Sequence, residues 1–315
     1  MRASRGHRPS RSAYISGQPK NPMTVHVGFL LIPGFPLLSF ASVIESLRAA
    51  NTLSGKQLYR WSLISIDGLT VEASNNLSFA PDDKLGTDLH FDYLFVCAGG
   101  NPALFKHEPT FKWLKWLSRQ NTKIGGLSGG AYILARAGIL SGYRITLHWE
   151  HAPAFVEDYP NLDLRRSLFE IDRDRLTSGG GSASLDMMHA LIAQQNGPEL
   201  AVAVSDWLLQ TQIREGEGPQ RMELRERLGV TSAPLLRAVG RMEQSTEIPL
   251  SRKELSKVAQ VSIRHLERLF QRYLGRSLGE HYIQIRLHKA RELLRQTNLS
   301  VIEVAMASGF VVVVE

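Results

Sequence analysis

The 315-residue chain has a single cysteine, Cys97, so it forms no internal disulfide and suits a reducing cytoplasm. No apolar run approaches the ~18 residues expected of a membrane span, which leaves a membrane-spanning role without support. The first 22 residues lack both the apolar core of a secretory signal and any acidic residue. Their five Lys/Arg among Ser, Gly and Pro predict a basic disordered tail, or an extension ahead of a start at Met23. A hydrophobic fraction of 43% suits globular folding, and the length suits two domains. The net charge of +7 is uneven: residues 236–315 carry 13 Lys/Arg against 8 Asp/Glu, and the middle of the chain is mildly acidic. That asymmetry fits a sensor joined to a nucleic-acid module.

From Thr24 the pattern alternates between strand and helix. Val25–Ile32 and Phe91–Gly100 are continuous apolar runs of the kind that form buried parallel strands. Helices are expected at SVIESLRAAN, FKWLKWLSRQ, Glu150–Tyr159 and Ser182–Gln195, and further strands near Tyr59–Ile66, Ile145–His148 and Leu168–Ile171. The order predicts an open, mainly parallel α/β sandwich with ligands at the carboxyl ends of its strands. At Leu127-Ser128-Gly129-Gly130 a strand runs through small residues into a helix, a spacing that presents the middle side chain on a tight elbow. Backbone N–H groups at Gly99, Gly100 and Ser128–Gly130 could cradle a carboxylate there. Cys97 ends an apolar run and reads as a structural thiol. His148 and His151 could meet on a helix face, but the run lacks zinc-protease spacing, and no metal or cofactor is expected. Trp149, Phe155, Tyr132 and Phe35 could offer aromatic faces to a quaternary ammonium group, with Glu150 or Glu45 adding charge; core packing explains each ring equally. Asp186-Met187-Met188 is a further candidate for the pocket wall, and Trp207-Leu208-Leu209 for either core or a dimer surface.

Towards the C-terminus, after a Gly/Pro-containing linker at Arg214–Gln220 and a helix near Pro234–Glu243, residues Ser251–Tyr273 predict two short helices around a turn. Ser251 with Glu254 has capping-box spacing, and Ser262 can cap the second helix. Leu255, Val258 and Ala259, then Ile263, Leu266, Leu269 and Phe270, form the inner faces. The second helix keeps Arg264, His265, Glu267, Arg268, Gln271 and Arg272 outside, a set that suits a major groove and exceeds what solvation needs. Arg264 and Arg268 are the expected readers of base edges, with Glu267 accepting from cytosine; Arg252, Lys253 and Arg276 are expected at phosphates. A long helix follows with Ile283, Leu287, Ala290 and Leu294 on one face, then a recapped short helix carrying Ile302, Val304 and Ala305.

The motifs LERLFQRYLGRSLGEHYIQIRLHKARELLRQT and SVIEVAMASGF make residues 251–310 resemble the DNA-binding domain of AraC-family transcription regulators. The resemblance implies two helix-turn-helix units joined by a long helix, promoter DNA and RNA polymerase as partners, and a homodimer. After Gly309-Phe310 that pattern continues with a second recognition helix, where this chain has Val311–Val314 and Glu315, so the second unit is expected to be incomplete.

The segments PGFPLLSFASVIESLRAAN, FVCAGGNP, GLSGGAYILARAGILSGYRITLHWEHAPAF and GGGSASLDMMHALI resemble PfpI-like, class I glutamine-amidotransferase-like domains, and the fused arrangement resembles GlxA-type regulators of catabolism of glycine betaine, choline, carnitine and related nitrogenous metabolites. Carried over, the elbow nucleophile of that family, a cysteine, is Ser128 here; its first-loop acid is replaced, with Ser39 nearest; and His148 occupies the pocket-histidine position. A serine lacking an activating partner is a poor nucleophile at neutral pH. The expected organisation is a tail at 1–22, a PfpI-like sensing domain at 23–212, a linker at 213–233 and an AraC-type domain at 234–315 lacking the second recognition helix. The expected function is ligand-responsive transcription regulation, as an activator, without enzymatic activity. The expected effector site comprises Gly99, Gly100, Ser128, Gly129, His148, Trp149 and Glu150. The rivals are a Ser128- and His148-dependent amidase or hydrolase, and a ligand-binding protein whose DNA end is inactive.

Overall fold

Two apolar runs set the middle of the sheet: VHVGFLL, buried from its second residue onward, and YLFVCA, buried throughout. The computed structural model describes residues 24–297 and 299–311, apart from the side chain of Gln296, so the expected basic tail and the last residues, 312–315, lie outside the described residues. In chain order the first lobe runs β1 (Val25–Leu31), α1 (Leu37–Ser54), β2 (Tyr59–Ser65), β3 (Val71–Glu72), β4 (Ser78–Phe79), β5 (Asp83–Lys84) and β6 (Tyr93–Ala98). It continues with α2 (Glu108–Ser118), β7 (Lys123–Ser128), α3 (Gly130–Arg136), β8 (Arg144–Ile145), α4 (Ala152–Asp158), β9 (Asp163–Leu164), β10 (Phe169–Asp172), β11 (Arg175–Ser178), α5 (Ala183–Asn196) and α6 (Pro198–Trp207).

Seven strands form one sheet in the order β10-β11-β7-β6-β1-β2-β5, parallel except where β10 runs against β11. Helices cover both faces. One core gathers Leu94, Val96, Trp113, Leu114, Tyr132 and Phe155; the other gathers Phe29, Phe35, Phe40, Phe95, Met187 and Ile192. Because β1, β6 and β7 are parallel neighbours, their carboxyl ends open side by side. That is where an open α/β sheet holds ligands.

The second lobe comprises α7 (Leu224–Leu228), α8 (Ala233–Gln244), α9 (Arg252–Ala259), α10 (Ile263–Leu274), α11 (Leu278–Gln296) and α12 (Val301–Ala307). Its core holds Leu235, Met242, Leu255, Leu266, Phe270 and Tyr282. Complete capping boxes start three helices: Ser251 with Glu254, Ser277 with Glu280, and Ser300 with Glu303. Each satisfies two otherwise orphaned backbone donors and is worth about 1 kcal/mol. Gln260, at φ 58°, supplies the left-handed residue that turns α9 into α10.

Several sequence-based expectations are corrected. The expected strand at Ile145–His148 shortens to Arg144–Ile145, and the expected helix from Glu150 splits into a 3-10 turn at Trp149–His151 followed by α4, whose second residue is Pro153. Strand β11 was not foreseen; its RLTS run is short and has a single apolar residue, Leu176. Within the stretch read as linker, α7 lays Leu224 and Leu228 against the helical core, and Val230 is buried there. On α11 the buried face is not the stripe of Ile283, Leu287 and Leu294, which are 45%, 47% and 53% exposed. Tyr282, Leu278 and Leu293 are buried instead. The helix is rotated because the Tyr282 hydroxyl donates to Ser245 O and accepts from Leu250 N, anchoring that side. Trp207 and Leu209 are exposed, so a core role does not hold for them, whereas Leu208 packs partly onto the sheet core.

Candidate functional site

The elbow at the end of β7 is formed as the spacing requires. Ser128 has φ 57°, a left-handed conformation that costs an L-residue about 1–2 kcal/mol and that turns the chain abruptly into α3. The turn is possible because Gly130 sits against β6: a Cβ there would lie 2.1 Å from Val96 O. Across the crevice, Gly180 (φ +87°) passes so close that an added Cβ would fall 2.7 Å from Ser128 Cβ and 2.8 Å from Ser39 Oγ. The elbow, the start of α1 and the β11–α5 turn therefore meet at one point. Ser39 Oγ accepts from Gly181 N at 2.8 Å, and Ser42 Oγ donates to Gly181 O at 3.2 Å.

The remaining crevice residues follow from this frame. Gly99 lies against Pro36 and Gly34, and Gly100 takes φ +63° at the carboxyl end of β6. The N–H of Gly129 is not free for a ligand, because it donates to Ala98 O at 2.8 Å; the expected cradle therefore excludes it. His148 N donates to Ser128 O at 3.3 Å, which brings the His148–Glu150 loop beside the elbow. The imidazole of His148 caps the 3-10 turn, its Nδ1 accepting from Glu150 N at 3.4 Å. Burial holds His148 below the ordinary imidazole pKa, with Glu150 opposing the shift, so the ring is neutral and carries its proton on Nε2. A base for the Ser128 hydroxyl needs a free ring nitrogen lone pair, and that tautomer spends it on the backbone.

The aromatic faces do not converge. Tyr132 and Phe155 lie in one core, and Phe35 in the core on the other face of the sheet. Only Trp149 reaches the crevice rim, where Arg221 covers its ring. Glu45 pairs with Arg48 along α1 at 2.7 Å. Met187 and Met188 are buried in the core, and Asp186 is bound to Arg214 and Gln210 rather than to the crevice. Cys97 is fully buried, and burial pushes its thiol pKa far up. The rings of His148 and His151 lie 5.8 Å apart; among the described residues, no group of three or more His, Cys, Asp or Glu could hold a metal ion. A separate groove of about 630 Å³ lies at the opposite, amino end of the strands, lined by Tyr59, Tyr93, Lys123, Gln195 and Asn196. Several of these side chains bond to one another, as in Tyr59 to Gln195 and Lys123 to Tyr93.

In the second lobe, α10 buries Leu266 and Phe270 and presents Arg264, Arg268 and Arg272, all exposed, on the outside. These arginines recur every four residues, one helical turn apart. Ser262 accepts from His265 N at 3.3 Å as the N-cap. Among the described residues, the elements that pack most closely against α10 are α8, α9 and α11, all of the second lobe. Lys253 and Arg276 are exposed beside it. Glu267 is turned away: it accepts from Leu278 N at 3.2 Å and lies 3.6 Å from Arg252, so these two expected DNA contacts are brought to each other. His265 Nδ1 sits 3.4 Å from an Arg268 nitrogen.

Gln220, Arg221 and Asn101 escaped the sequence reading. Gln220 Nε2 reaches Thr146 Oγ1, Leu147 O and Ser167 O, and its Oε1 accepts from Trp149 N. Nothing in a Gly/Pro-containing linker marks a glutamine for that task.

Residues 26–194 match the DJ-1/PfpI family, and residues 255–312 match a helix-turn-helix domain family. The chain is 45% identical to the HTH-type transcriptional regulator CdhR of Pseudomonas aeruginosa over 90% of its length and 84% of that protein. It is 43% identical to the HTH-type transcriptional regulator GlxA of Rhizobium meliloti over 90% of its length and 88% of that protein. The crystal structure of an AraC family transcriptional regulator from Pseudomonas putida superposes with TM-score 0.52 and 27% identity, covering 58% of this chain and 99% of that one. With a DJ-1/PfpI lobe ahead of an AraC-type helix-turn-helix lobe, the chain belongs to the family of HTH-type transcriptional regulators that includes CdhR and GlxA.

Proposed function

We propose that the chain is an effector-responsive activator of catabolic genes, in which the Ser128 crevice binds a small nitrogenous metabolite and α10 reads promoter DNA. The observation that carries this reading is the exposed face of Arg264, Arg268 and Arg272 on a capped helix whose opposite side is buried in the second lobe. Arg264 and Arg268 address base edges, while Arg272, Lys253 and Arg276 address phosphates. Gly99, Gly100, Ser128, His148, Trp149 and Glu150 contact the effector. The active form is a cytoplasmic homodimer that recruits RNA polymerase. The lobe does not catalyse: Ser39 stands where the relatives' acid would be, and the His148 lone pair is spent on Glu150 N.

The test of the effector site is a thermal-shift screen of betaines, carnitine, amino acids and polyamines, because a ligand bound only by the folded lobe raises its apparent stability. A hit lost in Trp149→Ala or His148→Ala supports the assignment; a hit unaffected by both moves the site elsewhere. A hydrolase reading draws on the left-handed Ser128 alone. Labelling by a serine-reactive probe that disappears in Ser128→Ala would favour it over the regulator-only reading.

A further inference from the structure

The crevice rim and the DNA-binding lobe share a seam. Arg221, in the linker and exposed overall, places its guanidinium carbon 4.5 Å from the centre of the Trp149 ring. The neighbouring Gln220 uses its amide to grip the loop that carries Trp149 and the segment before β10, reaching Thr146, Leu147, Trp149 and Ser167 at 2.6 to 3.0 Å. From the other side α11 packs on α4 and on the turn at Pro102–Leu104, and Asn101 Nδ2 donates to Arg295 O. Glu292 of α11, 15% exposed, pairs with His288 of the same helix at 3.0 Å. Arg227 and Glu243 complete the charged surroundings of Arg221.

We propose that Gln220 and Arg221 form a latch that couples the effector crevice to the DNA-binding lobe: while they hold the 146–150 loop, α11 stays docked, and displacement of that loop releases it. Two features support this over a passive linker. Gln220 bonds to backbone and side-chain groups of the same loop that supplies His148, Trp149 and Glu150. The Arg221–Trp149 contact uses the ring face that an effector on the rim would need. The linker is also pinned at its start by Arg214 on Asp186, so release is confined to the residues beyond. The regulatory meaning of the latch rests on the reading of the crevice as an effector site; its existence does not.

The test is backbone hydrogen–deuterium exchange on the full chain, without DNA or effector, for wild type, Gln220→Ala, Arg221→Ala, Trp149→Ala and the Trp149→Ala/Arg221→Ala double variant. Gln220→Ala removes the amide that holds four groups of the crevice rim and is expected to speed exchange at least about tenfold in both 146–150 and 288–296. Trp149→Ala and Arg221→Ala are expected to speed 288–296 about three- to tenfold, with no further gain in the double variant, because they break one contact. Amides of β1 and β6 should be unchanged, which separates release from general destabilisation. Faster exchange confined to the substituted residue's own neighbourhood, or additive effects of Trp149→Ala and Arg221→Ala, would overturn the latch. Absence of an effector or of DNA binding in separate assays would defeat the functional reading and leave this result standing.

Discussion

Asp186 is a buried carboxylate on α5, with 0% of its side chain exposed, held by Arg214 Nε at 3.0 Å, Arg214 Nη2 at 2.5 Å, Arg214 N at 3.0 Å and Gln210 Nε2 at 2.7 Å. Arg214→Ala deletes two of those four donors and the compensating charge. A fully buried pair broken in this way loses about 3–5 kcal/mol. The Arg214 side chain is 43% exposed, so solvent already screens part of the attraction. The expected loss is therefore about 2 kcal/mol, or roughly 4–8 °C in the thermal transition of a lobe of this size. Asp186→Ala should cost at least as much, since it also strands the Gln210 amide. The double variant should be little worse than Asp186→Ala alone, giving a coupling of about 1.5–2 kcal/mol. Calorimetry on the four chains reads this directly. Additive single losses, or a shift below about 1 °C for Arg214→Ala, would refute the view that this pair anchors the linker.

Gly180→Ala should be destabilising by more than about 1 kcal/mol, because its φ is +87° and the new methyl meets Ser128 and Ser39. Adding Ser128→Gly should recover part of the loss by removing the opposing Cβ; no recovery in urea unfolding would argue against the crowded elbow. Burial holds the pKa values of His26, His148 and His281 below 6.5 in the folded chain. The unfolded chain thus binds more protons, and stability is fully present above pH 6.5 and falls as the pH drops below it, by up to about 1.4 kcal/mol per unit for each histidine. His26 should contribute clearly, since its Nδ1 donates to His90 O and its Nε2 accepts from Ser62, a neutral arrangement. His26→Gln should flatten the curve between pH 6.5 and 5.5; an unchanged slope would contradict this.

Where one physical rule acted alone, the sequence was sufficient. Continuous apolar runs announced β1 and β6, and the serine–glutamate spacing at Ser251 and Glu254 announced the start of α9. The elbow at Ser128 was legible because only small residues permit Gly130 to lie against Val96. The register of α11 was not legible. Two stripes on that helix are apolar, and the choice between them depends on Tyr282 reaching backbone groups more than 30 residues away. The same distance problem hid Gln220, whose partners lie 53 to 74 residues upstream. Glu267 was placed on the groove side by helical position, yet the N–H of Leu278 draws it back.

The central claim is that the Arg264–Arg268–Arg272 face reads paired bases, and selection of binding sites from randomised duplexes by the full chain tests it most directly. The account predicts a defined consensus, a five- to 150-fold loss of affinity for it in Arg268→Ala, corresponding to about 1–3 kcal/mol, and a much smaller loss on random duplex. Recovery of no consensus, or an equal loss on selected and random DNA, would contradict it.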